Sequence, residues 1–172
     1  MRRPITAVVL LVALARAHLA AQVPAKPIPD GPAIGVTADR YSFDRTSLTM
    51  VTLHLSALKH NSFSSEFALG VFPTALASGV VVTSVDVGGA RNFSYSGATV
   101  LLRLGASGLF ALSPSGGGGA FPAVHAGASA LFAVGPQTAI RFDFTHRSFL
   151  IPYEGLMPTF SVGVGISGLP RL

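Results

Sequence analysis

The sequence predicts an all-β protein: an eight-stranded antiparallel up-and-down transmembrane β-barrel, preceded by a signal peptide. Three observations carry that expectation. The 172-residue chain is 49% hydrophobic and only 11% charged, whereas soluble domains carry about 25% charged residues and so can cover a water-facing surface. Beyond its N-terminal segment it has no apolar run near the ~20 residues that a membrane-spanning helix needs. What remains alternates apolar and small or polar residues with a period of two, as strands do. Only helices and closed barrels satisfy every backbone polar group inside a bilayer.

The N-terminal segment has the order of a secretory signal. Arg2 and Arg3 precede the apolar run ITAVVLLVALA, and Ala15-Arg16-Ala17 and Leu19-Ala20-Ala21 offer small-residue cleavage sites. Cleavage after Ala21 leaves a Pro-rich lead-in at residues 22–32 and a barrel domain at 33–172. Arg2, Arg3 and Arg16 depart with the signal, so nine basic residues face seven acidic ones. That balance is no footprint for nucleic acid. The chain has no cysteine, which excludes disulfides and thiolate metal sites.

Eight segments follow. Residues 33–43 set Ile34, Val36 and Ala38 against Thr37 and Asp39, and Asp44-Arg45-Thr46 turns the chain. Residues 48–58 set Val51, Leu53 and Leu55 against Thr52, His54 and Ser56; residues 59–65 are polar and read as a connection. Residues 66–73 set Phe67, Leu69 and Val71 against Glu66, Ala68 and Gly70. Residues 80–88 set Val81, Thr83, Val85 and Val87 against Ser84 and Asp86, and residues 89–97 read as a connection. The fifth segment, from Ala98 toward Leu112, sets Val100, Leu102 and Leu104 against Leu101, Arg103 and Gly105. The stretch SPSGGGGAFP reads as a flexible loop.

Residues 123–133 set Val124, Ala126, Ala128, Ala130 and Phe132 against His125, Gly127 and Ser129, before a tight turn at Gly135-Pro136-Gln137-Thr138. The stretch AIRFDFTHRSF is the most instructive. Arg141 and Asp143 are two apart, so a helix would point them in nearly opposite directions. A strand puts them on one face with Thr145, opposite Ile140, Phe142 and Phe144. Residues 147–158 read as a loop, and residues 159–168 set Phe160, Val162, Val164 and Ile166 against Ser161, Gly163, Gly165 and Ser167.

A soluble barrel turns its apolar faces inward. Here the second faces are mostly Gly, Ala and Ser with about one charge per strand. They suit a narrow lumen filled by small side chains and paired charges. The continuous Val, Leu, Ile and Phe faces suit lipid, the inverted pattern of transmembrane barrels. With both termini on one side, the 135–138 turn falls on that side. The 113–122 and 147–158 loops fall on the other, where loops run longer. Aromatic residues near strand ends then form two girdles: Phe43, Phe72, Phe110, Phe121, Phe149 and Phe160 toward the outer interface, Phe63, Phe93, Tyr95 and Phe132 toward the inner one.

In this pattern the chain resembles the small eight-stranded outer-membrane β-barrel proteins of double-membraned bacteria. The stretch Ser161-Val162-Gly163-Val164-Gly165-Ile166 is similar to their C-terminal assembly signal, with Ile166 where an aromatic is usual and a short tail to Leu172. The resemblance implies export through the inner membrane, insertion by the barrel assembly machinery, and residence in outer-membrane lipid. It implies no cofactor.

The inward-pointing set is then Asp39, His54, Glu66, Asp86, Arg103, His125, Arg141 and Asp143. Buried charges must be paired or stay hydrated, so these residues are expected to form a salt-bridge network that fills the lumen. A polar path for small solutes is the alternative reading of the same residues. A secreted soluble ligand-binding barrel, with the apolar faces inside, is the other. Enzyme activity is not expected. His146 near Ser148 lacks a nucleophile motif such as G-x-S-x-G, and His54 and His125 lack the closely spaced partners of a metal site. Gly116 to Gly119 lack the Lys and Ser/Thr of a phosphate loop. Nothing in the sequence names an extracellular partner; function would reside in envelope integrity or in exposed outer loops.

Overall fold

The computed structural model describes residues 28–43, 46–152 and 155–169. The signal peptide expected at residues 1–21 lies outside them, as do the first part of the lead-in and the tip Asp44-Arg45. Eight strands form in chain order: β1 (Gly31–Phe43), β2 (Thr46–Leu58), β3 (Phe63–Val71), β4 (Val81–Tyr95), β5 (Ala98–Leu112), β6 (Gly118–Gly135), β7 (Thr138–Ile151) and β8 (Gly155–Gly168). A short helix, α1 (Pro73–Ala77), lies between β3 and β4. Every strand pairs antiparallel with its sequence neighbours, and β1 closes on β8. One circuit of hydrogen-bonded partners, from Ala33 through Ser56, Glu66, Gly88, Gly105, His125, Arg147 and Thr159, returns to β1 about ten residues further along, the stagger that tilts strands in a closed barrel.

The strand faces follow the sequence alternation. Val36, Leu53, Leu69, Val87, Leu104, Val124, Phe144 and Val164 are exposed on the outside, between 39% and 69%. Thr37, Thr52, His54, Asp86, Arg103, Ser129 and Arg141 are buried inside. The soluble arrangement, with apolar faces inward, is not the one found.

Strand ends differ from the sequence reading at several places. β3 begins at Phe63 and β4 continues to Tyr95, so residues 63–65 and 89–95 are strand rather than connection. Only Ser96 and Gly97 join β4 to β5, with Gly97 at φ 71°, a left-handed conformation open to glycine. β6 starts at Gly118 and β7 runs to Ile151. The two loops expected to be long, 113–122 and 147–158, therefore shrink to a few residues at their tips. Turn-forming residues such as Gly, Ser and Asn misled here: Ser64 and Asn92 are inward-facing strand residues that hydrogen-bond to each other. The barrel itself starts at Gly31, inside the expected lead-in.

The interior has three layers. At the end that carries the termini, Ile28, Leu58, Leu101, Leu131 and Leu169 pack into an apolar layer. At the opposite end Tyr41, Met50 and Phe72 form another, against Ala75 of α1, Val82 and Leu109. Tyr41 and Phe72 meet edge to face, with ring centroids 5.3 Å apart. Phe72 and Phe149 are thus buried in the lumen instead of joining a girdle. Phe149 keeps the parity of Arg141 on β7, and Phe72, just past the end of β3, continues the parity of Glu66. Phe63, Tyr95, Phe110 and Phe160 do face outward, while the side chain of Phe43 lies outside the described residues. Between the two apolar layers lies a polar belt.

Candidate functional site: the charged lumen

All eight inward residues expected from the sequence are buried in the belt, none more than 7% exposed. They divide into two networks. The larger is centred on Arg141. Its Nε donates to Asp143 Oδ2 at 2.8 Å and its Nη2 to Asp143 Oδ1 at 3.0 Å, a bidentate grip. Nη2 also pairs with Glu66 Oε1 and donates to Ser129 Oγ at 3.0 Å. Arg103 reaches the same two carboxylates, at 3.5 Å from Glu66 and 3.2 Å from Asp143, and donates to Thr145 Oγ1 at 2.7 Å. His54 lies against Glu66, its Nδ1 3.4 Å from Oε1, and its Nε2 is 2.9 Å from Thr37 Oγ1. Thr37 and Thr52 donate to Asp39 Oδ2 and extend the network to β1.

The second network lies nearer the end opposite the termini. Arg147 Nη2 pairs with Asp86 Oδ2, and Nε donates to Asp86 Oδ1 at 3.3 Å. Ser107 Oγ donates to Asp86 Oδ1 at 2.6 Å and lies 2.8 Å from His125 Nδ1. Arg147 Nη1 donates to Ser161 Oγ at 3.1 Å, and its guanidinium carbon sits 4.9 Å from the Tyr41 ring centroid.

Arg147 belongs to this network, although the sequence pattern places it at the start of the 147–158 loop. The signal that could have found it is parity: residues 141, 143, 145 and 147 share one face of β7, and all are buried. Tyr41 and Ser107 follow in the same way from Asp39 and Arg103. The cross-lumen partnerships, Arg141 with Glu66 and Arg147 with Asp86, join β7 to β3 and β4 and come from the stagger, which no single strand encodes.

Glycines make space for these arms. A Cβ on Gly163 would collide with the Asp39 carboxylate, and one on Gly127 would press on Arg103 Nη2 at 3.2 Å and on β7 backbone. Such an interior holds side chains against one another and leaves each charge a fixed partner. A buried ion pair contributes little net stability but is costly to break.

His146 and Ser148 lie outside this belt. They share the exterior parity of β7, their side chains hydrogen-bond at 3.1 Å, and His146 stacks at 4.7 Å on Phe160.

Three solved structures share this architecture. The N-terminal β-barrel domain of Pseudomonas aeruginosa OprF is 11% identical over 81% of this chain and 99% of that one, with a TM-score of 0.57. Neisserial surface protein A is 8% identical, covering 81% and 96%, with a TM-score of 0.54. Ail, the attachment invasion locus protein of Yersinia pestis, is 15% identical, covering 81% and 99%, with a TM-score of 0.50. No family model and no curated protein matches the chain. The likeness is therefore one of fold: a closed eight-stranded antiparallel barrel of the outer-membrane type.

Proposed function

We propose that the chain is a structural or interaction barrel of the bacterial outer membrane, with a lumen filled by its own side chains. The observation that carries this reading is the inversion of faces: exposed Val, Leu, Ile and Phe outside, paired Arg, Asp and Glu inside. An exterior of that kind is stable against lipid and would aggregate in water. The fold shared with outer-membrane barrels supports the same location. Export by a cleaved signal at residues 1–21 and insertion by the barrel assembly machinery belong to the proposal. Contacts outside the cell would fall on a small rim, α1 and the tip at Ser113–Gly117, because the connections there are short.

The test is to refold residues 22–172 with and without detergent micelles and to run unheated and boiled samples on a denaturing gel. A β-rich product that requires micelles and shifts its mobility on boiling is expected. A monomer soluble without detergent, with no shift, overturns the proposal. Planar-bilayer recordings then separate a filled lumen from a narrow passage: silence is expected, because an apolar layer lies at each end of the belt. Steady conductance that vanishes on changing Arg103 or Arg141 would favour passage instead.

A further inference from the structure

Among the described strand residues the outer face is mostly apolar, with a few neutral polar side chains, and carries two arginines. Arg40 has the outward parity of Ile34, Val36 and Ala38 on β1, and Arg91 that of Val85 and Val87 on β4. Neither has a carboxylate within ion-pair distance among the described residues. The carboxylates of the strands, Asp39, Glu66, Asp86 and Asp143, are all buried in the lumen. Asp30, outside the strands, accepts from the His60 backbone N–H.

The two side chains lie toward opposite ends of the barrel and have different partners. Arg40 Nη2 donates to Ser47 Oγ, and Ser47 pairs with Ser42, two residues nearer the end opposite the termini. The Arg91 guanidinium carbon lies 4.9 Å from the ring centroid of Phe63, its partner across the ladder, and 5.8 Å from that of Phe93, two residues nearer the terminal end. Arg40 thus carries its charge away from the middle, and Arg91 holds its charge among aromatic rings near the terminal end of β4, as long cationic side chains do at membrane interfaces. The aromatic rings beside Arg91 are those expected at headgroup depth.

We infer that Arg40 and Arg91 are ligands for lipid-headgroup phosphates, one at each edge of the apolar band, with Ser47 and the Phe63–Phe93 pair shaping the two sites. A guanidinium matches phosphate oxygens bidentately, and headgroup phosphate is the anion a bilayer supplies at that depth. The inference rests on the proposed membrane location and adds to it a specific ligand chemistry and the level at which the barrel sits.

The test uses protein expressed as the full chain and extracted in dodecyl maltoside, which carries no phosphate. Equal amounts of dioleoyl phosphatidylglycerol and dioleoylglycerol are added, and retained lipid is counted by native mass spectrometry. The unchanged protein is expected to retain the phospholipid about fivefold over the neutral lipid, the scale of one cation at a lipid surface. Arg40→Gln and Arg91→Gln should each lose part of that preference, and the double variant all of it. Arg91→Lys should keep a reduced preference, and it carries the test if Arg91→Gln does not fold. Equal retention by unchanged and double-variant protein, both heat-modifiable on gels, overturns the inference and leaves the barrel reading intact. Displacement of the phospholipid by excess inorganic phosphate overturns the lipid source in favour of a soluble phosphate. Protein recovered without detergent overturns the membrane reading itself.

Discussion

β7 and β8 are paired along their whole lengths, from Thr138 with Gly168 to Ile151 with Gly155, yet their inner faces are opposites. β7 sends Arg141, Asp143, Thr145, Arg147 and Phe149 into the lumen; β8 sends Thr159, Ser161, Gly163, Gly165 and Ser167. An eight-stranded barrel has a fixed, narrow cross-section. Long arms from one wall can cross it only where the facing and adjoining walls are flat. Gly163 leaves the space that Asp39 occupies, and at Gly165 a Cβ would press on the backbone of Val36 and Thr37. The plain strand is therefore as constrained as the charged one, by volume instead of by charge.

Removing a charged arm should have the largest effect. Arg141→Ala leaves Glu66 and Asp143 buried with Arg103 as their remaining arginine, beside His54, and is expected to destabilise the folded barrel by about 3–5 kcal/mol, read as a lowered urea midpoint in micelles. A midpoint that does not move would mean that the belt is hydrated and the pairs are not needed. The outer face of β8 should respond next. Val164→Arg places a charge on an exposed exterior position, and is expected to cost about 2–4 kcal/mol of folding into liposomes if it lies near the bilayer midplane. No penalty there would count against lipid as the solvent of that face.

The inner face of β8 sharpens the contrast. Gly163→Val should cost about 1–3 kcal/mol by overpacking, because the added atoms fall on the Asp39 carboxylate. Val162→Leu, one residue away and 62% exposed, should be close to neutral. Similar midpoints for the two variants would show that β8 tolerates bulk on either face, contrary to the volume account.

Much of this was legible in the sequence. AIRFDFTHRSF on β7 carries its own faces, and the eight inward residues followed from parity alone. Extending that parity two residues would have added Arg147, and four would have placed Phe149 inside. The reading of residues 147–158 as a loop hid both. Asn92 on β4 was hidden by the reading of residues 89–97 as a connection. Asn92 is buried, with its side-chain amide donating to Lys59 O and its carbonyl accepting from Ser64. What no local pattern could supply was partnership: Glu66 and Arg141 are brought together by barrel closure and stagger, which are properties of all eight strands.

Those partnerships also suggest the finest test, since the belt holds two networks and not one. Asp86 and Arg147 are in direct contact through two hydrogen bonds, so a double-mutant cycle with Asp86→Asn and Arg147→Gln should give a coupling of about 0.5–3 kcal/mol. Asp86 and Arg141 belong to different networks: Arg141 is held by Glu66, Asp143, Ser56 and Ser129, and Asp86 by Arg147 and Ser107. The corresponding cycle with Arg141→Gln should therefore be additive within about 0.5 kcal/mol. Strong coupling across both pairs would merge the belt into one cooperative unit. In that case the flat wall of β8 would support a single network spanning the lumen, and a change at Gly163 would be felt at Asp86 as well as at Asp39.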